Sequence, residues 1–182
     1  MSIGVWEANK EYQMDSIIEK ITSYNIFTNL LPGIVFCFLL DRLYGIQIYK
    51  GDLVASFFVY YFVGMIISRV GSLLIEPVLI KLKFVTYAPY EKYLIACEKD
   101  PQIATLLETN NTYRSSLSLM FCVLGVEAWN SLMRLFSLSE NYQKLVLIIG
   151  LFLLLIVSYK KQTGYIRRRI DKYSETGETG VR

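Results

Sequence analysis

Residues 53–75, LVASFFVYYFVGMIISRVGSLLI, contain a single charged side chain, Arg69, and this stretch decides the fold. About 20 apolar residues are enough for an α-helix to cross the ~30 Å hydrocarbon core of a bilayer. The positions of the charges define three more blocks of this kind, at 21–40, about 115–136 and 145–159. The sequence therefore predicts an all-α polytopic membrane protein with four transmembrane helices and short cytoplasmic helices.

The composition of the whole chain agrees with this prediction. Of 182 residues, 53% are hydrophobic and 19% are charged, against about 25% charged in a typical soluble domain. The chain has no histidine, which excludes Ser-His-Asp and Cys-His catalysis and any histidine-containing metal site. The net charge of +3 is too small to indicate direct binding of nucleic acid by this chain.

The fourth block is the shortest, with 15 uncharged residues between Lys144 and Lys160. It spans a bilayer only if flanking lysines reach outward to the interface or the bilayer thins locally. A buried hairpin is the alternative structure for this segment.

Three regions follow from these blocks. Residues 1–20 are polar, net acidic and loosely amphipathic, which predicts an interfacial helix and no cleavable signal peptide. Residues 21–159 form the predicted four-helix transmembrane domain, and residues 160–182 form a basic and then polar tail. Within the domain, the loop 81–114 is predicted to hold two short helices, near 90–100 and 101–108, followed by a polar turn at 109–112.

The distribution of lysine and arginine predicts the orientation. With four spans, the N-terminus, the central loop and the tail share one side, which holds fourteen basic residues, while the opposite side holds four. Basic residues are enriched on the cytoplasmic side of membrane proteins. We therefore expect a multi-pass protein of a bacterial inner membrane with both termini in the cytoplasm.

Ionisable side chains within or beside the spans are the first candidates for a mechanism, because a charge in hydrocarbon is costly. Arg69 and Glu127 lie inside predicted spans, and Glu76 lies at the end of the second. Arg69 and Glu76 are seven residues apart, so a regular helix places them on one face. We expect Arg69 to pair with Glu127 or Glu76. A charge pair that fixes helix register, an ion path and a switch all remain open.

Small residues on the second span suggest close helix packing. Gly64, Ser68 and Ser72 recur every four residues, and Gly71 lies beside them. In lipid such residues let helices approach one another closely. We expect some of this packing to join copies in a homo-oligomer, of which a tetramer is one possible form. In the first span, Asn29 and Pro32-Gly33 predict a kink that serves packing or lines a cavity.

Aromatic and basic residues on the predicted cytoplasmic side are candidates for docking a partner or anionic lipids. The helix near 90–100 carries an apolar face, and the tail begins with a basic cluster. The candidate residues are Tyr90, Tyr93, Leu94, Lys160, Lys161, Arg167, Arg168 and Arg169.

The sequence contains no pattern that indicates an enzyme or a metal site. There is no phosphate loop, HExxH, GxSxG or paired-carboxylate arrangement. The three cysteines, Cys37, Cys97 and Cys122, are odd in number and lack CxxC spacing, so neither a disulfide framework nor a thiolate zinc site is expected. We predict no catalytic residues, no metal and no cofactor.

Three segments resemble one family: YNIFTNLLPG at 24–33, GMIISRVGSLLIEP at 64–77, and NNTYR at 110–114. They are similar to the small four-span membrane subunits of bacterial anti-phage defence operons, most nearly those of the Kiwa system. The resemblance implies an inner-membrane protein that self-associates, senses a phage-induced membrane disturbance and anchors a cytosolic, DNA-binding effector. It assigns no functional residue to this chain.

Three function classes remain open at this point. The first is a membrane sensor and scaffold for a soluble effector, and the second is a small oligomeric ion channel or pore-forming effector. The third, a membrane enzyme, has no residues to support it. The polar stripe that a channel needs is thin in this sequence, which favours the scaffold.

Overall fold

The computed structural model describes the backbone of residues 26, 28–137 and 139–178, and side chains in these ranges except those of residues 98 and 172–178. All secondary structure in this part of the chain is helical, which confirms the all-α prediction. In chain order the elements are α1 (28–44), α2 (Leu53–Val70), a π-helical segment (Gly71–Ile75), α3 (Glu76–Lys81), α4 (Tyr90–Lys99), α5 (Gln102–Phe136) and α6 (Glu140–Glu178).

Among the described residues, three helices are long and apolar enough to cross a membrane: Leu53–Lys81, Gln102–Phe136 and Glu140–Asp171. They contain the second, third and fourth predicted spans. The first predicted span, 21–40, overlaps α1 only in part, since residues 21–25 and 27 lie outside the described residues. The interfacial helix predicted at 1–20 also lies outside them.

The described residues divide into two compact units, with the boundary between Ser68 and Arg69. In the first unit, α1 and α2 touch through their backbones. A methyl group built on Gly33 would overlap the carbonyl oxygen of Tyr60, and one built on Gly64 would overlap the carbonyl oxygen of Asn29. Pro32 and Gly33 are both buried. This contact supports the packing role for the Pro-Gly pair.

The helix α5 is longer than the sequence suggested. The predicted polar turn at 109–112 is helical, and the short helix predicted at 101–108 forms the first turns of α5. The hydroxyl groups of Thr109 and Thr112 donate to the carbonyls of Thr105 and Glu108, at 3.0 and 3.1 Å. Because these hydroxyl groups bond carbonyls one turn back on the same helix, the polar run can remain helical. The predicted turn is therefore wrong.

The helix α6 includes most of the predicted tail as well as the fourth apolar block. Its 39 residues extend about 58 Å at 1.5 Å per residue, well beyond a ~30 Å hydrocarbon core. Side chains of the apolar block such as Ile148 and Phe152 are 65% and 63% exposed within the chain. Because α6 runs unbroken from Glu140 to Glu178, the segment does not turn back on itself, which contradicts the alternative of a hairpin.

The close contact of α1 with α2 predicts a large effect of a single methyl group. Gly64→Ala places a Cβ against a backbone carbonyl that cannot rotate away, so we expect a loss of about 1–3 kcal/mol in stability. Gly150→Ala in α6 is the matched control, since its Cβ would meet open space, and it should be neutral or gain up to about 1 kcal/mol. Thermal unfolding of both variants in detergent measures the difference; equal midpoints would contradict the contact.

Candidate functional site: a polar cluster at a helix irregularity

The second unit begins with a break in regular helical hydrogen bonding. In the π-helical segment, the backbone N–H of Glu76 donates to the carbonyl of Gly71, five residues back. The next residue, Pro77, has no N–H. The carbonyl of Ser72 would bond residue 76 in an α-helix and residue 77 in a π-helix. Since neither donor is available, the Ser72 carbonyl needs a partner from outside its own helix.

Lys161 of α6 provides that partner. Its ammonium donates to the carbonyl oxygen of Ser72 at 2.6 Å and to the Ser72 hydroxyl at 2.8 Å. The same nitrogen lies 3.6 Å from a carboxylate oxygen of Glu76 and 5.9 Å from the ring centroid of Tyr165. The ammonium therefore makes two hydrogen bonds to Ser72 and an ion pair with Glu76. This contact ties α6 to the helix Leu53–Lys81.

Arg114 of α5 adds a contact to Glu76 from a third helix. Its guanidinium donates to Glu76 at 2.9 Å, with the two side chains 21% and 14% exposed. Gly71 permits this approach, because a Cβ there would lie 3.1 Å from Cβ of Ser118 and 3.3 Å from the carbonyl oxygen of Arg114. We call Ser72, Glu76, Arg114 and Lys161 the polar cluster.

The polar cluster joins side chains from three helices. Its two cations and one carboxylate sum to +1, and Glu76 is shared between the two cations. Arg114 Nε and Ser115 Oγ are buried and have no hydrogen-bond partner among the described residues. No group of three or more metal-ligating acidic or cysteine side chains occurs in the same part of the chain. The geometry is that of a clamp that fixes the register of three helices.

The structure pairs the predicted intramembrane charges differently from the sequence prediction. Glu76 bonds Arg114 and Lys161, and Glu127 lies 3.7 Å from Arg134 on its own helix. Arg69 is half-buried and makes no ion pair within the described ranges. The physical reason is the π-helical segment between Arg69 and Glu76. One extra residue in the turn rotates Glu76 by about 100° away from the face of Arg69.

The small residues of the second span are occupied by contacts within the chain. Gly64 meets α1, Gly71 meets α5, and Ser72 bonds α6 through Lys161. Ser68 is half-buried. Three of the four residues predicted to pack between copies therefore have a structural role in a single chain.

The face of α4 predicted to dock a partner also packs within the chain. Leu94 is 8% exposed, and the rings of Tyr90 and Tyr93 are stacked with centroids 6.2 Å apart. Burial and a hydrogen bond with Cys97 raise the pKa of Tyr93 to about 12, an effect partly offset by the positive charge of Arg169. Leu94 is therefore covered within its own chain, and docking of a partner on the Tyr90 and Tyr93 side of α4 stays a prediction.

The basic residues of the tail, in contrast, lie on the surface. Lys160, Arg167, Arg168 and Arg169 are exposed. The guanidinium of Arg168 lies 4.8 Å from the ring centroid of Tyr165, a cation–π contact. Sequence reasoning grouped Lys161 with these residues and gave Arg114 no role. The signal for Lys161 was Pro77, which leaves the Ser72 carbonyl free to bond a nearby cation; no comparable signal identified Arg114, which bonds the Glu76 carboxylate.

Comparisons with known proteins return no match: no family model, no curated protein and no solved structure is similar to this chain. A function must therefore be inferred from the chain's own residues.

The polar cluster predicts a strong energetic coupling between α6 and the helix that carries Glu76. Glu76→Gln leaves two cations without their shared carboxylate, which should cost on the order of 1–3 kcal/mol of stability. A double-mutant cycle of Glu76→Gln with Lys161→Met in mixed micelles should show coupling of about 1 kcal/mol or more.

The control for this cycle is the pair Glu140 and Lys144, whose side chains are 86% and 68% exposed. Such a pair at i,i+4 should couple by only about 0.3–0.5 kcal/mol. A stronger coupling of Glu76 to Arg69 than to Lys161 would contradict the arrangement described above.

Proposed function

We propose that this protein is a membrane scaffold that holds a basic helical arm at the cytoplasmic surface of a bacterial inner membrane. The arm is residues 160–178 of α6. The observation that carries the proposal is the contact of Lys161 with Ser72 and Glu76, at the point where the apolar block of α6 ends. Because α6 continues without a break to Glu178, a clamp at Lys161 also holds the arm beyond it.

The proposed orientation places the polar cluster at the cytoplasmic boundary. Glu76, Arg114 and Lys161 each border an apolar block on the side that carries fourteen of the nineteen basic residues. Four spans, with α1 as part of the first, put both termini and the loop 81–114 on this side. Charged side chains at a boundary can keep contact with water, which reduces the cost of holding them together.

Labelling of single cysteines tests this topology. In a variant without the native cysteines, Gln47→Cys should react with a membrane-impermeant maleimide on intact cells, because position 47 lies in the predicted outer loop. Lys92→Cys should react only after the inner membrane is opened. Labelling of position 92 on intact cells would contradict the proposed orientation.

We further propose that the arm recruits a cytosolic effector protein and that the complex acts in defence against phage, with the scaffold assembled as a homo-oligomer. Arg167 lies six residues beyond Lys161, about 9 Å further along the helix axis. Arg167 and Arg168 are exposed, and the ion pair of Arg167 with Asp171 spans 3.7 Å between side chains that are 83% and 60% exposed. Such a pair is weak, so an acidic partner can compete for the arginine. Nucleic acid would be bound by the effector.

A charge reversal on the arm tests this recruitment. Arg167→Glu with Arg168→Glu should lower recovery of the effector from the native host by about tenfold, because attraction between each arginine and the acidic partner is replaced by repulsion. Protection against phage should fall with it, while membrane insertion stays unchanged. Raising the salt concentration should weaken the wild-type complex, because exposed charges are screened over ~8 Å at physiological ionic strength.

The matched control reverses two charges on the opposite side, Arg134→Glu with Lys144→Glu, and should leave recovery and protection intact. Arg169 is left unchanged because its charge acts on Tyr93 of α4. Full protection by the arm variant, together with ion conduction by the purified protein in planar bilayers, would replace the scaffold with the alternative function of an oligomeric channel.

A further inference from the structure

The first unit contains an open groove between α1, the loop 45–52 and α2. Its volume is about 390 Å³, within the range of small-molecule sites. Among the described residues, its walls include Ile34, Cys37 and Phe38 of α1 and Tyr60 of α2, and its mouth includes Asp41 and Lys50. We call this the outer groove, because the proposed topology places the loop 45–52 on the outer side.

Polarity changes steadily along the outer groove. Ile34, Phe38 and Asp41 follow one another at i, i+4 and i+7, so they form one stripe that rises about 10.5 Å along α1. The stripe is apolar at Ile34 and Phe38, and it ends with the carboxylate of Asp41 near the C-terminal end of α1. Gly45, with φ of +64°, then ends the helix and turns the chain back across the groove. The groove is thus apolar at one end and charged at the other.

The charged mouth carries both signs without an internal ion pair. Asp41 and Lys50 line the same groove, yet neither makes a salt bridge within the described ranges. Arg42 adds a second cation beside the groove, with its guanidinium 5.6 Å from the ring centroid of Phe38. One carboxylate and two cations around an apolar slot complement a ligand that has an ammonium, a phosphate and a hydrocarbon chain.

We propose that the outer groove binds a phospholipid with a primary-amine headgroup, phosphatidylethanolamine. The headgroup ammonium would donate to Asp41, the phosphate would accept from Lys50 and Arg42, and the first part of an acyl chain would lie against Ile34 and Phe38. Charge-assisted hydrogen bonds of this kind are the strong ones, and a primary ammonium has three N–H groups to donate. The proposal rests on the membrane location put forward above.

Native mass spectrometry of the purified full-length protein in detergent, titrated with defined lipids, tests the site. Phosphatidylethanolamine should bind about tenfold more tightly than phosphatidylcholine, whose quaternary ammonium cannot donate to Asp41, and more tightly than phosphatidylglycerol. Asp41→Asn should remove the preference for the amine headgroup. Lys50→Gln should weaken binding of both phosphatidylethanolamine and phosphatidylglycerol.

The matched controls are Glu140→Gln and Lys144→Gln, which make the same charge changes at the N-terminal end of α6, on the proposed outer side, and should leave the lipid preference unchanged. Equal binding of the three lipids, or the same preference in Asp41→Asn, would overturn the proposal. Tighter binding of phosphatidylglycerol by the wild type would assign the groove to anionic lipids instead and also overturn it. Extraction of cell membranes at alkaline pH reports separately on membrane location, so failure of that premise is distinguishable from failure of the site.

Discussion

The second unit depends on one hydrogen bond, from the ammonium of Lys161 to the backbone carbonyl of Ser72. Pro77 and the π-helical segment leave this carbonyl without a donor from its own helix. A backbone carbonyl left unpaired in protein costs about 1–3 kcal/mol, and more where lipid replaces water. The contact with α6 therefore stabilises the irregular helix. The same contact places Lys161 beside Glu76, which also pairs with Arg114. The missing N–H of Pro77 is thus linked to contacts among three helices.

The charge balance of the cluster explains why it sits where the apolar blocks end. Two cations that share one carboxylate keep an excess positive charge, and such a group is tolerated only with access to water or to lipid phosphates. Lys161 is 27% exposed at its side chain and Arg114 21%, which provides this access. In the proposed orientation, a clamp at the membrane boundary also has a mechanical consequence. Because the arm is a continuation of α6, its direction is set by the packing of the apolar part rather than by a flexible tail.

The sequence predicted the apolar helices well because a charge in hydrocarbon is costly, so the spacing of charges carries direct information. It did not predict where those helices end. The polar run at 109–112 is typical of a turn, yet threonine hydroxyls that bond the preceding turn make it compatible with a helix. The sequence also did not predict the partners of Glu76. A regular helix with 3.6 residues per turn would place Arg69 on the same face as Glu76, two turns away. A π-helical segment breaks that regularity, and its only sequence signal is a proline whose structural effect depends on neighbouring helices.

The positions of the glycines bear on how copies of the proposed scaffold would assemble. Gly64 and Gly71 are used for contacts inside the chain, so they are not available to join copies through close backbone approach. The apolar side chains of α6, such as Leu147 at 55% exposure and Ile156 at 48%, remain uncovered by the described residues. An interface between copies on that face would pack bulky side chains rather than small ones. It would also bring basic arms together, and several arms held at one surface bind a multivalent partner more tightly than one arm can. Assembly through α6 would therefore strengthen recruitment without adding a new contact to any single arm.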